Sequence, residues 1–198
     1  MKNVIFDFGM VLVKFVPSYM VGRYVSDPAD AALLTEVVFD RAYWDRLDAG
    51  TIEDEEVLAA CRTRLPARLW EVADTIYYNW IYNIPEIEGM RDVIAALKAR
   101  DVRGYLLSNI SRYFAAHAHE ISILNELEDC VFSATCGLAK PDPAIFTHAC
   151  AQFGIAPADT LFVDDRAENV AAAVSVGMEG YVFDGDVRAL EAYLSITR

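Results

Sequence analysis

The strongest constraint on this chain is a set of short apolar runs, each ending in a polar residue that a core does not readily hold. Val4-Ile5-Phe6 runs into Asp7, Leu106-Leu107 into Ser108-Asn109, and Leu161-Phe162-Val163 into Asp164-Asp165. Short apolar strands separated by stretches of helical period are the pattern of a parallel sheet covered on both faces. A carboxylate buried at the end of such a strand needs a partner or a cation. In these sheets ligands bind beyond the carboxyl ends of the strands, where the strand order reverses. The polar clusters therefore fall where a ligand would sit.

Residues 3–8 read as the first strand, and 104–107, 131–134, 160–163 and 180–183 as the others. Between the first two the alternation is suspended. From about Phe15 to Ile87 the chain is aromatic, charged and helical in period. Asp27-Pro28 predicts an N-cap with proline at the first helical position. Thr51-Ile52-Glu53-Asp54 is close to a capping box. Pro66 opens, and Pro85 closes, a further helix through Trp70, Ala73, Ile76, Tyr77 and Trp80. Later helices are expected at 90–97, 112–124, 143–154, 167–176 and 187–196. The expected class is α/β: a Rossmann-like, doubly wound parallel sheet with a helical insert after the first strand.

A chain of 198 residues is one large domain, or one domain carrying an insertion. Its 55 % apolar content suits a packed core rather than disorder. The apolar stretches are too short or too charged to cross a bilayer. Met1-Lys2-Asn3 enters the first strand without a signal-peptide pattern, so a cytoplasmic location is expected. Cys61, Cys130, Cys136 and Cys150 form no CxxC and no zinc spacing with His117, His119 or His148, and read as reduced core thiols. His117-x-His119 reads as helix surface, because residues two apart do not share a helix face. A formal charge of −13 weighs against nucleic acid and anionic membranes as partners. It also means that a phosphate pocket must be made locally positive, by a cation, a lysine or helix N-termini.

The order Asp7, Ser108-Asn109, Lys140-Pro141, Asp164-Asp165 resembles the four motifs of the haloacid dehalogenase-like hydrolases. That superfamily consists mostly of magnesium-dependent phosphatases that work through an aspartyl-phosphate. The resemblance spans nearly the whole chain. It implies an α/β core formed by residues 1–14 and 88–198, with 15–87 as an α-helical cap. It also implies that the Ser108 and Asp164 strands flank the Asp7 strand.

By the same resemblance Asp7 is the nucleophile, and Ser108 and the backbone N–H of Asn109 hold the phosphoryl oxygens. Lys140 is a point charge between Asp7 and phosphate. Magnesium is expected on Asp7, the Gly9 carbonyl and Asp165, with help from Asp164, since this ion prefers hard oxygen donors. The implied partner is a small phosphorylated metabolite, with sugar phosphates favoured. Candidate cap contacts are Tyr19, Arg23, Trp44 and Arg46.

One position departs from the common pattern. Most phosphatases of the superfamily carry a second aspartate where this chain has Gly9. A branch similar to α-D-glucose-1-phosphate phosphatase also has Asp-x-Gly, so glycine is compatible with activity. It leaves unassigned a general acid and base, a role that typically contributes ~10²–10⁴-fold. Three alternatives share parts of the pattern, one of them a catalytically silent relative for which Gly9 is the only hint. A 2-haloacid dehalogenase needs no metal and hence no paired carboxylate in the fourth motif. A receiver-like regulatory module would carry its acidic pair after the first strand and have no use for the insert.

Overall fold

In the computed structural model, which describes residues 1–195, the expected strands form with small shifts at their ends. They are β1 (Asn3–Phe6), β2 (Arg103–Ser108), β3 (Cys130–Phe132), β4 (Thr160–Asp164) and β5 (Glu179–Val182). All neighbouring pairs are parallel, in the order β3-β2-β1-β4-β5. Phe6 pairs with Leu106 on one side and Val163 on the other. The next residue of each strand, Asp7, Leu107 and Asp164, therefore comes level at one end of the sheet.

β1 and β4 are buried throughout, which is why they read as continuous apolar runs. Successive side chains of β1 point to opposite faces. Val4 and Phe6 join one apolar cluster, and Ile5 joins the other with Tyr105, Phe146 and Phe162.

Five α-helices fall within residues 15–87, after β1: α1 (Pro17–Val21), α2 (Pro28–Val38), α3 (Arg41–Asp48), α4 (Asp54–Arg64) and α5 (Trp70–Asn79). The Asp27 carboxylate caps α2 by accepting the Asp30 N–H at 2.9 Å. Trp44, Ile76 and Trp80 from this insert share one apolar cluster with Val4 and Phe6, so apolar packing joins insert and sheet. The remaining helices are α6 (Met90–Lys98), α7 (Arg112–His117), α8 (Ser133–Cys136), α9 (Pro143–Phe153), α10 (Ala167–Ser175) and α11 (Val187–Tyr193). Among the described residues no helix is long and apolar enough to cross a membrane.

Several expectations are corrected. The helix expected over 112–124 stops at His117, and 3₁₀ turns follow at Ala118–Glu120 and Leu124–Glu126. Ile121-Ser122-Ile123 is a weak helix former, and Ser122 instead joins Arg91 and Glu86 through its hydroxyl. The strand expected over 131–134 ends at Phe132, and Ser133, whose hydroxyl accepts the Ile110 N–H rather than capping its own helix, is the first residue of α8. The capping box lies two residues later than expected, with the Glu56 carboxylate accepting the Glu53 N–H. Of the cysteines, Cys61 and Cys150 are buried, whereas Cys130 and Cys136 are only partly so; all four are free thiols. α11 ends at Tyr193, and Ile196 of the expected final helix lies outside the described residues.

Candidate active site

Asp7 leaves β1 with its N–H bonded to the Val163 carbonyl at 2.9 Å, which fixes it beside β4. Lys140, on the segment between α8 and α9, reaches back under the strand ends. Its Nζ lies 2.7 Å from Asp7 Oδ1, 2.7 Å from Asp164 Oδ2 and 3.0 Å from the Leu107 carbonyl. These three contacts use all three ammonium donors. The lysine side chain is 2 % exposed, so its charge acts in a largely water-free setting.

Asp164 is fully buried and saturated. Besides Lys140 it accepts the Arg166 N–H at 2.8 Å and the Asn169 amide at 3.0 Å on each oxygen. Asn109 is occupied as well. Its amide donates to the Lys140 carbonyl and its oxygen accepts the Lys140 N–H, both at 2.8 Å. Ser108, the last residue of β2, is buried and faces the same cavity.

Burial raises the Asp7 carboxyl to about 6, against the pull of Lys140 and with added repulsion from Asp164. Burial alone would push the Lys140 ammonium down, but Asp7 and Asp164 outweigh it and hold it above its ordinary value. Asp165 is raised by burial and by Asp164. Asp7, Asp164 and Asp165 each offer an oxygen within 4.8 Å of the others. Three carboxylates facing one ammonium leave an excess of negative charge, and hard oxygen donors so gathered suit a divalent cation.

The site opens into a cavity of about 160 Å³. Asp7, Gly9, Ser108, Asn109 and Lys140 line it from the sheet side, and Phe15, Arg41, Trp44, Asp48 and Trp80 from the insert. Phe15, Trp44 and Trp80 form an aromatic wall, with ring centroids 5.3–5.8 Å apart. The Trp44 indole N–H is bonded to the Val38 carbonyl at 2.7 Å, so this residue presents only its apolar face. Of the expected contacts from the insert, Trp44 lines the cavity; Tyr19, Arg23 and Arg46 are exposed and do not. Arg41, at the start of α3, takes the place expected of Arg46.

Sequence reasoning missed Asp48 and Asn169 as well. Asp48 shares the buried face of α3 with Trp44 and Leu47, at positions i, i+3 and i+4. An acid on an apolar helix face was the available signal. Asn169 had none, since an asparagine near a helix start is ordinarily a local cap.

These features define a hydrolase site at the strand ends of a doubly wound sheet. The model of the haloacid dehalogenase-like hydrolases matches residues 1–177, and the chain belongs to that family. A sesquiterpene phosphatase of Aspergillus oryzae is 28 % identical over 180 residues, spanning 90 % of this chain and 88 % of that protein. A D-ribitol-5-phosphate phosphatase of Bacteroides thetaiotaomicron is 24 % identical over 188 residues, spanning 91 % and 90 %. Among solved structures, a family enzyme from Bacteroides thetaiotaomicron in complex with magnesium and inorganic phosphate aligns with a TM-score of 0.71 at 19 % identity. That alignment covers 94 % of this chain and 96 % of that one.

Proposed function

We propose that this hydrolase is a magnesium-dependent phosphatase of small phosphorylated metabolites, acting through an aspartyl-phosphate on Asp7. The observation that carries the reading is the contact of one buried ammonium, Lys140 Nζ, with Asp7 and Asp164 at 2.7 Å each. It sits beside a third acid, Asp165, within metal-ligating reach. Fold alone does not separate phosphoryl transfer from dehalogenation, because both chemistries run on this scaffold. The paired acids favour phosphoryl transfer, and magnesium-bound relatives of the same fold support it.

Asp7 attacks phosphorus in line with the leaving oxygen, and water later hydrolyses the acyl-phosphate. Ser108 and the backbone N–H of Asn109 hold phosphoryl oxygens, and Lys140 restrains the nucleophile while offsetting charge on the transferring group. Asp7, Asp165 and the Gly9 carbonyl would hold magnesium, and the ion would supply positive charge that offsets the charge of the transferring phosphoryl group. Asp164, with its oxygens already taken, serves chiefly to orient Lys140. Residues 15–87 act as an α-helical cap over a core of 1–14 and 88–198, and close the space beyond the phosphate.

For the substrate body, Arg41 and Asp48 offer polar contacts and the aromatic wall offers apolar ones, a combination suited to a sugar or sugar-alcohol phosphate. The relative acting on D-ribitol 5-phosphate agrees with that choice, as does the Asp-x-Gly first motif. The extent of the wall favours one second reading, a phosphate on an apolar body like that of the sesquiterpene relative.

The test is phosphate release from a panel of sugar, sugar-alcohol and prenyl phosphates with magnesium, beside chloride release from 2-chloropropionate. Activity should vanish in EDTA and in Asp7→Asn while the fold persists. Turnover that survives either change, or halide release alone, would sink the reading.

A further inference from the structure

Assigning Asp7 as nucleophile leaves one role without a residue. Position 9 is glycine, so no side chain there can hand a proton to the departing oxygen. Asp48 faces the same cavity from the opposite side. It is the last residue of α3, 8 % exposed, and lines the space shared by Asp7, Gly9 and Ser108. Its Oδ1 has no hydrogen-bond partner. A carboxyl oxygen buried without a partner is costly, and its place at the site calls for an explanation.

The end of α3 is held in place by contacts that do not involve this carboxyl. Ser133, fully buried, donates its hydroxyl to the Asp48 carbonyl and accepts the Ile110 N–H at 2.9 Å. Arg112 donates to the Gly50 carbonyl at 3.1 Å and pairs with Glu53 at 2.7 Å. Gly50 itself, at φ +68°, lies so near the sheet side that an added Cβ would stand 2.8 Å from the Ala134 carbonyl oxygen. The backbone is fastened while Oδ1 of the acid has no hydrogen-bond partner.

We infer that Asp48 is the general acid and base of this enzyme, supplying from the helical insert the proton that position 9 cannot. The inference rests on the Asp7 reading above. In the first step an Asp7 oxygen bonds to phosphorus as the bond to the leaving oxygen breaks. The Asp48 proton passes to that oxygen, which departs as a neutral alcohol, and Asp48 becomes a carboxylate. In the second step water bonds to phosphorus and gives its proton to Asp48. The bond from phosphorus to Asp7 breaks, phosphate leaves, and both acids return to their starting states.

The charged neighbours of Asp48 are Arg41 and Asp45 on its own helix and Asp7 across the cavity, which Lys140 and Arg166 also line. Burial raises its carboxyl to about 8, with Arg41 opposing and Asp45 and Asp7 adding to the rise. Such a group is still protonated at neutral pH, as a proton donor must be.

The test compares kcat/KM on a series of alkyl phosphates and on p-nitrophenyl phosphate, with magnesium, for the wild type, Asp48→Asn and Asp48→Glu. A p-nitrophenolate departs without needing a proton. Asp48→Asn should lose ~10²–10⁴-fold on alkyl phosphates and at least tenfold less than that on the aryl ester, with Asp48→Glu recovering part of the loss. In the wild type, kcat/KM for alkyl phosphates should fall as pH rises through about 8, where the acid ionises. Equal losses on both substrate types, or none on alkyl phosphates, would overturn the assignment. If Asp48→Asn fails to fold, a wild-type alkyl profile flat across that range overturns it instead. A wild type without any Asp7-dependent, magnesium-dependent turnover overturns the Asp7 reading itself, a separate outcome.

Discussion

Asn109 and Lys140 are clasped by two reciprocal hydrogen bonds, each 2.8 Å long, between one side-chain amide and one backbone unit. The side chain of Asn109 thus positions the lysine, and in the proposed mechanism only its backbone N–H is left to meet phosphate. Two bonds worth about 1 kcal/mol each make Asn109→Ala ~2 kcal/mol less stable. Because Lys140 is then free to drift, kcat/KM should fall ~10–100-fold. Thermal melting and kinetics on the same preparation check this; a melting change with untouched kinetics would show that the clasp serves the fold alone.

Removing Lys140 has a larger effect. Lys140→Ala leaves Asp7 and Asp164, at 13 % and 0 % side-chain exposure, facing each other without their cation. Breaking a buried pair from one side costs ~3–5 kcal/mol, against ~0–1 kcal/mol for an exposed pair. Magnesium should recover part of the lost stability in the variant. A melting temperature unchanged from wild type would mark Lys140 as peripheral.

The two adjacent acids should separate by phenotype. Asp164 accepts from Lys140, the Arg166 N–H and the Asn169 amide, so Asp164→Ala orphans buried donors and should destabilise the protein by several kcal/mol. Asp165 has no such set, and Asp165→Asn should weaken magnesium binding while nearly preserving the melting temperature. Calorimetric magnesium titration beside thermal melting distinguishes them. Matching phenotypes would contradict the division.

Position 9 has room for the missing acid. Its φ is not positive, and an added Cβ would meet only Phe15 Cβ, at 3.7 Å. Gly9→Asp should fold, and placed in Asp48→Asn it should restore part of the lost alkyl phosphate turnover. Steady-state rates of the single and double variants measure this. A double variant no better than Asp48→Asn would mean that the two positions do not share a role.

Asp48 also carries a stability signature. Its folded value of about 8 lies well above the ordinary carboxylate value of 3.8, so the folded state holds the proton more tightly. The stability linked to that proton is fully present below about pH 4 and is lost as pH rises through about 8. Asp48→Asn has no proton to lose, so its melting temperature relative to wild type should climb across this window. The full rise corresponds to several kcal/mol, at about 1.4 kcal/mol per pKa unit. A difference that stays constant from pH 4 to pH 8 would show that the carboxyl is not titrating there. A site acid that lowers stability is the usual trade of function against fold.

The strands and their polar ends were legible because each is written in consecutive residues. Val4-Ile5-Phe6-Asp7 and Leu161-Phe162-Val163-Asp164 declare both a buried strand and the residue at its tip. Strand order came from resemblance to known sequences, since periodicity carries no information about neighbours. Asp48 and Arg41 could not be read this way. Their place at the site depends on how α3 lies against the sheet, and that is set by distant contacts such as Ser133 with the Asp48 carbonyl, 85 residues apart in sequence. The helix after Arg112 ends earlier than its period predicts for a related reason: Ser122 accepts a hydrogen bond from Arg91, 31 residues earlier in sequence.

The Ser133 hydroxyl gives its one hydrogen to α3 and receives one from the loop after β2, so a single buried oxygen spans both walls of the cavity. A displacement that widens the cavity on that side strains this joint and draws Asp48 away from the strand ends. Volume and reactivity are therefore mechanically linked. On the assignment of Asp48 as proton donor, a chamber enlarged to admit a bulkier guest is also one whose proton source has withdrawn, and size would then be selected through the rate of reaction as well as through exclusion.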